Sequence, residues 1–204
     1  LVGTHSGLAI GKDGTTQMGI EDVNLMRGLP GMTVIQPATY SETKAMVKCA
    51  LQWTSGPLYL RLGRQPTHDV DLGRDPVKIG RARVVRDGSD MTIAFTGCLA
   101  DVALTAADML ALDGISCRIV NVNTIKPLDT STVLAYAHPI VTLEDHSVIG
   151  GLGSAVAEAS VETSLIPQRV LRVGINDVFA ESADPDDLYE KHGLTAKKIV
   201  QRVR

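Results

Sequence analysis

Two clusters of polar side chains near the start of the chain are the first places where chemistry could happen. One runs Gly3-Thr4-His5-Ser6-Gly7 and then Gly11-Lys12-Asp13-Gly14-Thr15-Thr16-Gln17. A histidine, a carboxylate and an amide set among glycines offer hydrogen-bonding groups on a backbone that can approach a ligand closely. The other is Arg61 and Arg64, which bracket Leu62-Gly63 at the end of an apolar run. An arginine at the carboxyl end of a strand can grip a phosphate through two parallel hydrogen bonds. Spacing alone leaves bland alternatives open. The glycine cluster also fits a solvated loop with a turn at Asp13-Gly14, and Arg64 also fits a surface ion pair.

A third cluster, Glu144-Asp145-His146, precedes Gly150-Gly151-Leu152-Gly153-Ser154 and a helical pattern. Glycines ahead of a helix can cradle an anion. The spacing is not that of a P-loop, however, and no Lys-Ser or Lys-Thr follows, so a tight strand-to-helix turn is the better reading. His146 is a possible general acid that lacks a second anchor. Neither Ser147 nor Ser154 sits in a Gly-x-Ser-x-Gly setting, which argues against hydrolase chemistry. Cys49, Cys98 and Cys117 have no metal-ligand spacing and read as reduced core residues of a cytosolic protein.

These side chains need a scaffold. Across 204 residues, 44% hydrophobic and 21% charged content supports one good core or two modest ones. The net charge of -3 with scattered basic residues excludes a nucleic-acid partner. No run reaches the roughly 20 apolar residues that span a bilayer, and no basic-then-apolar leader opens the chain, so no membrane partner and a cytoplasmic location are expected. The chain begins at Leu1 rather than Met, as expected of part of a longer polypeptide.

Thr33-Val34-Ile35 reads as a buried strand ended by Pro37, and Thr39 followed by Glu42 has capping-box spacing. The helix that follows places Ala45, Met46, Cys49, Ala50 and Trp53 on one face. Leu58 to Leu62 forms the next strand, and strand, helix, strand in that order implies a parallel βαβ unit. Residues 1–64 are therefore expected to form one partial domain, 65–80 a linker, and 81–204 a second domain. In the second domain, strands are expected at 83–85, 91–95, 118–122, 140–143 and 170–173, and helices near 99–112, 129–137 and 152–163. The first of these helices has an inward stripe of Val102, Ala106, Met109 and Leu110. Two short helices joined at Gly193 close the chain. The fold class is α/β: a parallel βαβ remnant followed by a smaller α/β domain of about five strands.

The run from Gly3-Thr4-His5 through Gly11-Lys12-Asp13-Gly14, with Ile20-Glu21-Asp22, Leu25-Met26-Arg27, Gly31-Met32-Thr33-Val34 and Leu60-Arg61-Leu62-Gly63-Arg64, resembles the pyrimidine-binding domain of transketolases. Thr124-Ile125-Lys126-Pro127-Leu128-Asp129, Glu144-Asp145-His146 and Gly150-Gly151-Leu152-Gly153-Ser154 resemble the C-terminal domain that transketolases share with deoxyxylulose-phosphate synthases and the β subunits of ketoacid dehydrogenases. The resemblance implies that His5 and Arg64 hold a substrate phosphate and that Asp13 contacts a sugar hydroxyl. It also implies that Gln17 stands where many bacterial members carry a histidine, as in animal-type transketolases.

The activity implied is ketol transfer between sugar phosphates with thiamine diphosphate and Mg²⁺. The catalytic glutamate and most of the cofactor site would lie upstream of residue 1, so this chain alone is expected to be inactive. The partners implied are sugar phosphates, missing upstream domains or an N-terminal subunit, and a homodimeric or heterotetrameric assembly. A deoxyxylulose-phosphate synthase, which decarboxylates pyruvate, and a non-catalytic dimerisation subunit are the alternatives.

Overall fold

The computed structural model describes residues 1–73, 75–163 and 167–204; Arg74, within the expected linker, lies outside them. Strands β1 (Val2–Ser6), β2 (Thr33–Ile35) and β3 (Leu58–Gly63) run parallel in the order β1-β3-β2. Helices α1 (Asp22–Gly28) and α2 (Tyr40–Leu51) lie between them in sequence. The Thr39 hydroxyl accepts the Glu42 N–H at 3.2 Å, the cap that the Thr-x-x-Glu spacing predicts. The Glu42 carboxylate reaches one residue further back than a capping box requires and takes the Ala38 N–H at 2.8 Å.

One expectation fails here. Gly3 to Ser6, read as part of a loop, is β1. It is an edge strand paired with β3, with one further bridge from Ser6 to Gly19, and Val2, Thr4 and His5 face solvent, so it carries none of the apolar alternation that marks a half-buried strand.

The second sheet contains β4 (Arg83–Arg86), β5 (Met91–Phe95), β6 (Cys117–Asn121), β8 (Ile140–Ser147) and β9 (Val170–Ile175), in the order β4-β6-β5-β8-β9. Only β4 is antiparallel to its neighbour. Helices α3 (Ala100–Leu112) and α5 (Leu152–Thr163) flank it. On α3 the fully buried positions are Ala103, Ala106, Ala107 and Leu110, with Val102 and Met109 at the margin. The buried face of α3 is therefore mostly alanine and is rotated from the expected stripe, of which only Ala106 and Leu110 are fully buried. The helix expected near 129–137 is a single turn, α4 (Thr130–Val133). Its β-branched residues are poor helix formers, and Pro139 blocks helical geometry at His138.

The tail forms α6 (Pro185–Lys191) and α7 (Ala196–Val203), which turn at Gly193 with φ 77°. No helix among the described residues is long and apolar enough to cross a membrane.

The two sheets are locked together. A strand with no counterpart in the sequence reading, β7 (Thr124–Lys126), leaves the second half of the chain and pairs antiparallel with β2. Lys126 Nζ then takes the carbonyls of Arg27 and Leu29 at 2.8 and 2.7 Å, where a cation suits the end of α1. Leu8, Ile10, Met18 and Ile20 share one core with Phe95, Leu99, Leu143 and Leu188. Each such aliphatic side chain contributes about 1.5–3 kcal/mol on burial, against about 0–1 kcal/mol for an exposed ion pair. Apolar packing therefore seats the segment from Leu8 to Ile20 on the C-terminal half.

Candidate functional site

The pairing of β1 with β3 steps from Gly3 opposite Arg61 to Ser6 opposite Gly63. Thr4 and His5 on one strand thus answer the single Leu62 on the other, which is a β-bulge. His5 lies inside it with φ 60°, a left-handed conformation that costs a non-glycine residue free energy. The bulge turns the His5 ring outward at the carboxyl end of the sheet, where Nδ1 lies 3.0 Å from Thr4 Oγ1. Sequence spacing gives no sign of this bend.

Arg64 follows the last residue of β3. Its Nη1 donates to Asp13 Oδ2 at 2.8 Å and to the Ile10 carbonyl at 3.0 Å. Asp13 ends a 3-10 turn spanning Leu8–Asp13. Two of the expected site residues are therefore in direct contact, and their side chains are 43% and 50% exposed. An ion pair this open adds little stability and is free to exchange with an incoming anion. Gln17 is exposed in the turn that follows, its N–H on the Gly14 carbonyl at 3.0 Å. Among the described residues no side-chain hydrogen bond joins His5 or Gln17 to the Arg64–Asp13 pair. A cleft of about 300 Å³ opens beside these strand ends, with Ser6, Gln36, Thr39, Gly63 and Asp145 in its walls.

Arg61 serves a different purpose. It is buried, with Nε 2.9 Å from Asp22 Oδ2 and Nη2 on the carbonyls of Gly19 and Asp145 at 2.8 and 2.9 Å. The Tyr59 hydroxyl donates to the same Asp22 carboxylate at 2.7 Å.

Glu144, Asp145 and His146 all lie buried in β8. The Glu144 carboxyl group accepts the N–H groups of Leu152 and Gly153 at 2.6 and 2.9 Å, so the N-terminus of α5 is already capped by a side chain of its own chain. The glycines there serve the turn, since a Cβ at Gly151 would lie 1.8 Å from Glu144 Oε2. Burial pushes the Glu144 carboxyl up to about 7, against the pull of those two N–H groups.

His146 is not placed to be a general acid. Burial, with the Arg61 charge, pushes it down to about 4. The neutral ring pairs Nδ1 with the Ser147 carbonyl at 2.7 Å and accepts the Asn24 N–H at 3.4 Å on Nε2. The three cysteines are free thiols; Cys117 is buried, while Cys49 and Cys98 are partly so. Burial, then the Asp145 charge, pushes Cys98 up to about 12, so it is an unreactive thiol.

No group of three or more His, Cys, Asp or Glu side chains among the described residues is placed to hold a metal ion. The carboxyl-edge cluster offers one arginine, itself paired to a carboxylate, beside a histidine and an amide. That donor set does not fit a magnesium diphosphate.

Residues 1–68 match the transketolase pyrimidine binding domain, and residues 80–199 match the transketolase C-terminal domain. A 6-deoxy-6-sulfo-D-fructose transketolase subunit of Clostridium sp. strain MSTE9 is 43% identical over 98% of this chain and 62% of its own length. A 1-deoxy-D-xylulose-5-phosphate synthase of Trichormus variabilis is 36% identical over 95% of this chain and 31% of its own. Among solved structures, a split-gene transketolase described as an inactive β4 tetramer superposes with a TM-score of 0.88 at 43% identity, over 99% of this chain and 64% of that one. The chain thus spans less than two thirds of these relatives. With both domain families matched in order and the fold shared from end to end, the chain belongs to the transketolase family.

Proposed function

We propose that this chain is part of a transketolase that moves a two-carbon ketol unit from a ketose phosphate to an aldose phosphate, with His5, Asp13, Gln17 and Arg64 as its substrate contacts. The observation that carries the reading is the Arg64–Asp13 pair at the carboxyl edge of β3 and the turn before Gly14, where a parallel sheet presents ligands. Arg64 would exchange Asp13 for the substrate phosphate, which releases the Asp13 carboxylate to accept from a sugar hydroxyl. His5, held outward by the bulge, adds a second donor to the anion. Gln17 keeps a hydrogen-bonding amide without a titrating group. Binding energy gathered at the remote anion orients the reacting carbons and raises turnover as well as affinity.

Transketolase chemistry depends on thiamine diphosphate, which when bound supplies the carbanion that carries the ketol unit. The diphosphate, Mg²⁺ and the activating glutamate would come from upstream domains or an N-terminal subunit, joined in a homodimeric or heterotetrameric assembly. On this reading residues 1–64 are the partial pyrimidine domain, 65–80 the linker and 81–204 the C-terminal domain. The chain by itself would be inactive, a reading supported by the inactive β4 assembly of the split-gene relative. A second reading follows from the Clostridium relative, whose name carries a sulfonated ketose. A sulfonate presents Arg64 with a similar three-oxygen anion.

The test is a coupled assay of the chain assembled with its upstream part, thiamine diphosphate and Mg²⁺. Xylulose 5-phosphate with ribose 5-phosphate should turn over. Preference for 6-deoxy-6-sulfofructose as donor would establish the second reading. Turnover of pyruvate with glyceraldehyde 3-phosphate alone would move the protein to the synthase branch, and silence throughout would leave a non-catalytic subunit. Arg64→Ala should raise KM for phosphorylated donors by about 10- to 100-fold, the worth of a charge-assisted hydrogen bond. Equal losses on unphosphorylated donors would remove that role from Arg64.

A further inference from the structure

Beside apolar packing and the Lys12–Asp184 ion pair, the turn that carries Asp13 is tied to the other half of the molecule at its first residue by a buried carboxylate. Leu8, its first residue, donates its backbone N–H to Asp145 Oδ1 at 2.9 Å. The second oxygen of Asp145 accepts from the Tyr189 hydroxyl on α6 at 2.9 Å, so the carboxylate is fixed from both sides. Asp145 is 1% exposed and Leu8 0%, so this bond is buried in the folded chain, and a buried N–H that loses its acceptor costs free energy. The fit is close: Gly7 has φ 76°, and a Cβ there would lie 2.1 Å from Asp145 Oδ2. Further along, the turn is held by its Ile10 carbonyl on Arg64 and by Ser182, whose hydroxyl donates to the Lys12 carbonyl.

We propose that Asp145 is the positioning residue of the Asp13-bearing turn: through Leu8 it sets where Asp13 meets Arg64, so the C-terminal half fixes the anion site without touching substrate. This rests on the reading of Asp13 and Arg64 as substrate contacts, and it gives the buried acidic residue of β8 a role that the helix cap at Glu144 does not share. Asparagine at this position would be the conservative variant. Its carbonyl can still accept from Leu8 and its amide can donate to the Tyr189 oxygen.

The experiment compares Asp145→Ala, Asp145→Asn and Tyr189→Phe in the chain assembled with its upstream part. It reads hydrogen exchange at the Leu8 amide together with KM and kcat for a phosphorylated ketose. In Asp145→Ala, Leu8 should exchange at least about tenfold faster while β5 and β6 keep their protection. KM should rise about tenfold with kcat within about threefold, and Asp145→Asn should stay within about threefold of the parent in every reading. Unchanged protection at Leu8, or a loss spread equally over β5 and β6, would overturn the proposal. If Asp145→Ala does not fold, Tyr189→Phe decides, because it removes the stronger of the two donors to Oδ2, Cys98 Sγ at 3.7 Å being the other, and leaves the Leu8 bond. A rise of about two- to fivefold in Leu8 exchange supports the proposal, and no change overturns it. Arg64→Ala, run in parallel, separates the two ideas. If it leaves KM for the phosphorylated ketose unchanged, the substrate reading fails, whereas the exchange data still judge Asp145.

Discussion

Buried Arg61 and partly buried Asp22 meet as an ion pair, Nε 2.9 Å from Oδ2, and the same guanidinium reaches the Asp145 carbonyl on the other sheet at 2.9 Å. Burial alone would push the Asp22 carboxyl up, but the Arg61 charge and the hydrogen bonds from Arg61 and Tyr59 hold it below the usual carboxylate range. Replacing Arg61 by Met leaves Asp22 without its cation and removes the Arg61 donor from the Gly19 and Asp145 carbonyls, of which Gly19 keeps the Gly7 N–H at 2.9 Å. A loss of about 3–5 kcal/mol is expected by urea denaturation. The Asp22 contribution is present above the ordinary carboxylate value of 3.8 and disappears as pH falls below it, so acid should narrow the gap between Arg61→Met and the parent. A loss under about 1 kcal/mol, the size of a surface pair, would mean that Arg61 does not lock the two halves.

The pH dependence of stability should contain two opposed contributions from β8. Unfolded His146 takes up a proton near 6.5 and folded His146 only near 4, so its contribution is present above 6.5 and lost as pH falls toward 4. Unfolded Glu144 releases its proton near 4.5 and folded Glu144 only near 7, so its contribution is present below 4.5 and lost as pH rises toward 7. Each is on the order of 3 kcal/mol, and between 4.5 and 6.5 they cancel. Glu144→Gln should uncover a stability that rises with pH across that range, and His146→Gln one that falls. Parallel profiles for the parent and both variants would refute the assignment.

Much of this was legible in the sequence, for physical reasons that differ by element. The cap at Thr39 and the buried strand at Thr33 were readable because capping and continuous burial leave local patterns. The Arg64–Asp13 contact was approachable only through the family resemblance, since 51 positions separate the two in sequence. Strand β1 was hidden because an exposed edge shows no alternation, and β7 because three residues cannot display a period of two. Glu144, Asp145 and His146 fall just past the strand expected at 140–143. They extend β8 instead, each with a tertiary hydrogen-bonding partner that no local pattern encodes.

Glu42 ties α2 to the second sheet. Its two oxygens accept from Asn121 Nδ2 at 2.8 and 2.9 Å, from Asn123 Nδ2 at 3.0 Å and from the Ala38 N–H at 2.8 Å, all in the buried interior. Glu42→Gln keeps the shape but turns an N–H donor toward other donors. A loss of about 2–3 kcal/mol is expected, more than a surface substitution's ±0.5 kcal/mol. Urea denaturation of the two proteins checks it, and a value inside the surface range would show that the asparagines find other acceptors.

Asp13 should have opposite effects on anion binding and on sugar binding. Its carboxylate lies 2.8 Å from Arg64 Nη1 in a half-exposed site, where a unit charge at about 4 Å is worth about 1 kcal/mol. Asp13→Asn removes the internal competitor for that arginine, so inorganic phosphate should bind this chain about fivefold more tightly, read by titration calorimetry at low ionic strength. Arg64→Ala should abolish the binding altogether. In the assembled enzyme the same Asp13→Asn substitution should lower kcat/KM for the phosphorylated ketose, because the amide replaces a charged acceptor for the sugar hydroxyl. Tighter phosphate with weaker turnover would separate the two duties of Asp13; weaker binding of both would mean that the carboxylate holds Arg64 in place for the anion rather than competing with it.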